Sequence, residues 1–188
     1  MEKCLSIARD IRHQEVEGEC ELVLGETAFD LGDQAQSCHR FKRSLTVCRE
    51  AGDKRGEANA LRWLGRVDLR NGDLVSARAR FSDAIRSFRA FEMREELLSC
   101  LEDHAELAQV EGKADVAARL AATAAKSRER LGLNRAPRAE TRWQAFVGEL
   151  KRTMGQAPFD GAWGEAAGWQ IDEAIHLAQS AKAERVPA

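Results

Sequence analysis

The chain has 188 residues, 44% of them hydrophobic, with 29 Lys and Arg against 31 Asp and Glu for a net charge of −2. That is enough apolar material for a core, which excludes wholesale disorder, and it lacks the basic excess of a dedicated nucleic-acid binder. No apolar run approaches the ~18 residues a bilayer span needs, and the opening MEKCLSIARD has no signal-peptide stretch. Five cysteines, none in a CxxC pair, read as reduced thiols and imply a cytoplasmic protein. Proline occurs at Pro137, Pro158 and Pro187 and nowhere in the first 136 residues, which suits stacked helices better than strands joined by turns.

The predicted elements follow an internal repeat. Gly32, Gly72 and Gly112 stand 40 residues apart, and at the same offset Ser37 aligns with Ala77 and Ala117, and Phe41 with Phe81 and Ala121. Residues 1–14 are predicted to be a partial repeat, its second helix only, because Met1 falls at the place of Phe41, Leu5 at that of Leu45 and Ala8 at that of Cys48. Leu5, Ala8 and Ile11 are expected on the face a preceding helix would cover. Self-association or fraying of residues 1–13 follows as an expectation, with a homo-oligomer through this helix as one outcome. The first full repeat, about 15–54, reads as two helices broken at Gly32-Asp33. The second, about 55–94, carries Leu61, Leu64, Val67 and Leu69 on one helix and Ala77, Phe81, Ala84, Ile85 and Phe88 on the next, both at helical spacing. Between them Asn71-Gly72-Asp73 supplies a left-handed helix end and an N-cap. The third repeat, about 95–135, keeps the register with its large residues trimmed to alanine. After Leu131-Gly132-Leu133 the register is lost, and residues 136–188 are predicted to be a helical C-terminal cap. Its stripes are Trp143, Phe146, Leu150 and Met154, then Phe159 and Trp163, then Trp169, Ile171, Ala174, Ile175 and Ala178.

Leu61, Leu64-Gly65, Ala77, Phe81 and Ala84 stand at the spacing of the tetratricopeptide (TPR) repeat, and this array resembles that family. Leu24-Gly25, Ser37 and Phe41 keep the pattern in the first copy, and Leu101, Ala105, Ala117 and Ala124 in the third. The period is longer than the usual ~34 residues, and Ala28, Asp68 and Ala108 replace the family's Tyr. The resemblance implies an all-α, right-handed solenoid of antiparallel helix pairs. Phe159, Ala162-Trp163 and Asp172-Glu173-Ala174-Ile175 resemble the end of the helical-repeat region in bacterial multidomain signalling proteins, such as ATPase-type transcription activators and nucleotide cyclases.

No nucleotide-binding, zinc-protease or nucleophile-elbow motif occurs. Cys100 and His104 share a helix face, but no second ligand pair joins them, and Cys20 and Cys100 align with Ala60, which marks a small buried position. Glu95-Glu96 and Glu102-Asp103 are adjacent residues that cannot face each other, so both pairs are expected on solvated helix faces. The expectation is a chain without catalytic residues, metal or cofactor.

The resemblance implies that the first helix of each pair lines a groove, with repeat-equivalent residues forming columns. One column holds Leu22, Arg62 and Glu102, another Glu26, Arg66 and Glu106, and a third Phe29, Leu69 and Gln109. The candidate partner-binding residues are Asn59, Arg62, Arg66, Arg70, Phe29, Leu69, Glu102 and Glu106. Arg62 and Arg66 offer bidentate forks to a carboxylate, a phosphate or an acidic peptide, or else they pair with Glu26, Glu102 or Glu106 of neighbouring repeats. The expected role is a protein-interaction or regulatory scaffold binding a protein or peptide in the groove. The alternative is a sensor domain for a small-molecule effector.

Overall fold

The computed structural model describes residues 1–180; residues 181–188 of the expected cap, Pro187 among them, lie outside the described residues. Ten helices are present among the described residues. They are α1 (Glu2–Asp10), α2 (Gln14–Asp30), α3 (Gln34–Ala51), α4 (Lys54–Arg70), α5 (Leu74–Ala90), α6 (Arg94–Val110), α7 (Ala114–Leu131), α8 (Pro137–Met154), α9 (Gln156–Ala166) and α10 (Ile171–Ser180). The fold is an all-α, TPR-like arrangement of helix pairs.

A beat of half a repeat sets where these helices stop. Left-handed backbone occurs at Arg12, Gly32, Gly52, Gly72, Glu92, Gly112 and Gly132, so every interval ends with the same chain reversal. One residue later comes the cap of the following helix. Asp33, Asp53 and Asp73 accept from the backbone N–H of Gln36, Gly56 and Ser76 at 3.0, 2.9 and 3.0 Å. His13 takes the same place before α2, where its Nδ1 accepts from Val16 N–H at 3.5 Å.

The chain forms two compact units, Met1–Met93 and Arg94 onward. In the first, Phe29, Phe41, Trp63, Leu64 and Val67 form a core cluster. The helices within a pair approach closely because glycine faces phenylalanine. A Cβ placed on Gly25 would lie 2.6 Å from Phe41, and one on Gly65 the same distance from Phe81. In the second unit, α6 and α7 pair, and α8, α9 and α10 pack on α7. Ala117, Ala118, Ala121, Ala122 and Ala124 of α7 have no exposed surface. Ala117 and Ala118 share a core cluster with Leu150 and Phe159, which explains the alanine-rich third repeat: α7 is covered on two sides, and only small side chains admit both neighbours.

Two expectations are corrected. Leu5 and Ala8 are buried at 2% and 1% exposure in a helix packed on α2, whereas Met1, Ile7 and Ile11 are exposed. The reason lies in the repeat register: Cys48, the equivalent of Ala8, touches the positions of both Gly18 before it and Gly56 after it, so this site faces the following helix as well as the preceding one. Asp103, expected on a solvated face, is fully buried. It occupies in α6 the interior place that Trp63 occupies in α4, and its carboxylate has a partner inside the molecule.

Candidate functional site

Within the first unit, Arg62, Arg66 and Arg70 stand at i, i+4 and i+8 along α4, so helical geometry puts them in one row. The row lies against aromatic rings. Arg62 is 5.6 Å from the centre of the Trp63 ring, and Arg66 is 5.4 Å from Trp63 and 5.6 Å from Phe29. Arg70 sits 3.4 Å from the centre of the Phe29 ring, and its Nη1 donates to the Phe29 carbonyl at 2.7 Å. That carbonyl belongs to the last turn of α2, where carbonyls lack helical partners and the macrodipole favours a cation. Phe29 and Trp63 meet edge to face at 5.4 Å, and Phe41 stacks on Trp63 at 5.4 Å. The aromatic cluster therefore does two things. It anchors three helices together, and it presents π surface to the arginine row.

Exposure differs along that row and is least at its middle. Arg66 is 8% exposed, Arg62 half-buried and Arg70 exposed. Asn59 precedes Arg62 by three residues and is half-buried, as is Leu69. All three arginines hold further partners within the molecule, so an incoming anion must exchange with existing contacts.

The two remaining predicted residues lie in the second unit. Glu102 of α6 accepts from Arg128 Nε at 2.7 Å and from Arg135 Nη2 and Nε at 2.8 and 3.0 Å. Arg128 also donates to Ser99 Oγ at 2.7 Å, and Arg135 lies 4.1 Å from the Trp143 ring centre. Glu102 thereby ties α6 to α7 and to the segment that leads into α8. Glu106 is half-buried and likewise partnered.

Two features escaped the sequence reading. Trp63 sits directly after Arg62 and completes the apolar face of α4, a signal available in the spacing with Val67. Glu21 is the other. Its carboxylate is fully buried and meets Arg9 at 2.5 Å, Arg40 at 3.0 Å and Arg43 at 3.7 Å. It stands where Leu61 and Leu101 stand in later repeats, and a charge at an apolar repeat position was the clue. Among the described residues, no three metal-ligating side chains converge, and no helix is long and apolar enough to cross a membrane.

No curated protein gives a match to the sequence. Residues 2–90, which run from the first residue of α1 to the last of α5, match the family model for the tetratricopeptide repeat, so this stretch is similar to a module that generally mediates protein–protein interaction.

Proposed function

We propose that the chain is a non-catalytic protein-interaction scaffold in a bacterial signal-transduction or transcription-regulatory protein, and that its first unit takes an acidic peptide segment. The observation carrying this reading is the row Arg62, Arg66 and Arg70 laid over Phe29 and Trp63. The rings hold the guanidinium groups in one row, and an acidic segment offers carboxylates that exchange with the partners these groups already have. The bacterial context rests on the resemblance of the C-terminal stripes described above.

A fluorescein-labelled oligoglutamate peptide titrated against the full chain tests the site. Wild type is expected to raise its anisotropy in a salt-dependent way, and Arg62→Glu with Arg70→Glu to weaken binding by about tenfold or more. These two positions are chosen because Arg66 is buried, and a charge reversal there would report on folding. Circular dichroism should show unchanged helicity in the double variant. Equal binding by both proteins, or none by either, overturns the reading.

A further inference from the structure

Helix α1 carries apolar residues on two faces. Leu5 and Ala8 are buried in the packing on α2, whereas Cys4, Ile7 and Ile11, at i, i+3 and i+7, form a second stripe that solvent reaches. Ile7 is 59% and Ile11 65% exposed. Later in the array the same face is covered. Forty residues on, Ser44 and Val47 of α3 hold the places of Cys4 and Ile7, and both are buried. The Ser44 hydroxyl donates to the Gly18 carbonyl of α2 at 2.8 Å, and Val47 lies beside Gly18. Charges around the α1 stripe divide in two. Glu2 and Arg9, on the opposite side of the helix, are engaged within the molecule by Arg40 at 2.8 Å and Glu17 at 3.0 Å. Lys3 and Asp10 are exposed, one in the first turn of α1 and the other its last residue. Each stands at the end of the helix dipole whose sign it shares, so the stability of their own helix does not account for them. They lie on one flank of the stripe, and the midpoint between them falls beside Ile7.

We propose that a second copy of this chain covers the stripe, with α1 packed antiparallel on the same helix of the other copy about a two-fold axis beside Ile7. Such an axis reverses the second helix while keeping its flank. Lys3 then stands opposite the partner's Asp10, and Asp10 opposite the partner's Lys3, so the pair of charges is self-complementary. A parallel pair would set Lys3 level with the partner's Lys3 and Asp10 level with the partner's Asp10, and charge therefore selects the antiparallel one. The interface is isologous and closes at two chains. One short helix from each side buries little area, which makes this a weak dimer whose population follows concentration. Ion pairs at its rim contribute little to affinity but fix the register.

Sedimentation of the full chain from about 1 μM to about 1 mM tests this. The average mass is expected to rise with concentration and to level off at that of two chains. Ile7→Glu should weaken association by about tenfold or more. Lys3→Asp should weaken it by about fivefold or more, although the new charge suits the helix dipole and circular dichroism should show no loss of helix. Adding Asp10→Lys to Lys3→Asp restores opposite charges across the axis and should return the dissociation constant to within about twofold of wild type. That rescue separates a contact between copies from a role within one chain. A monomer over the whole range, growth past the dimer, a Lys3→Asp protein that associates like wild type, or a double exchange without rescue would each overturn the proposal.

Discussion

Phe81 and Gly65 show how a single contact sets the spacing of a helix pair. Phe81 has no exposed surface, and its ring edge lies where a Gly65 Cβ would reach within 2.6 Å. Phe81→Ala should therefore cost on the order of 3–5 kcal/mol, and Gly65→Ala about 1–3 kcal/mol by overpacking. The two sites share one volume, so they should not add. Gly65→Ala combined with Phe81→Leu is expected to cost less than the sum of its single changes, because the smaller side chain yields space to the new methyl. Urea unfolding of the four proteins checks this, and strict additivity would show that the ring does not fill the space beside Gly65.

Helices in this chain are delimited by their ends more than by propensity. Five of the seven left-handed positions on the half-repeat beat are glycine, but Arg12 and Glu92 adopt φ of 55° with a side chain attached. For an L-residue this conformation is strained, and glycine adopts it freely. Glu92→Gly is expected to stabilise the chain by up to about 1 kcal/mol despite removing a side chain, since the turn between α5 and α6 then matches its counterparts at Gly52 and Gly132. A thermal melt at matched concentration reads the change. A lower midpoint would mean that the Glu92 side chain contributes more than its backbone costs.

For the whole molecule, carboxylates on helix ends and between helices link stability to pH. Arg49 first, and then Lys54, hold Glu57 below the usual carboxylate range, through contacts of 2.8 and 3.0 Å. Gln144 does the same for Glu140, assisted by Arg135, and Ser76 for Asp73 at the cap of α5. A folded-state pKa below the unfolded one contributes stability that is present above the unfolded value and lost as pH falls through the folded value. Solvent around these groups keeps each contribution small. The melting temperature should be level near neutrality and decline below about pH 4, with Arg49→Gln shallower on the acid side because Glu57 then has less to lose. Melts at stepped pH decide the matter, and a midpoint that rises on acidification would contradict this assignment.

How much of this was legible in advance depends on which physical signal each feature leaves in the chain. The helix pairs were readable because packing a glycine on a phenylalanine recurs every forty residues, at Gly25 and Phe41 and again at Gly65 and Phe81. Caps were readable for the same reason, since Asp33 and Asp73 act within three residues of their own position. The arginine row was visible as spacing, yet its aromatic bed was not, because Phe29 reaches Arg66 and Arg70 only when α2 lies beside α4. Glu102 shows the opposite case. Column arithmetic offered it to a groove, and the fold gives it to Arg128 and Arg135. Asp103 and Leu5 changed faces on folding for a related reason: a helix of the array meets neighbours on two sides, and one period of apolar residues describes only one of them. Local spacing and backbone chirality were thus determined by the sequence itself, because they act within one or two turns of chain. Which charged side chains are consumed in the interior was decided by tertiary contacts between helices, which no local pattern encodes.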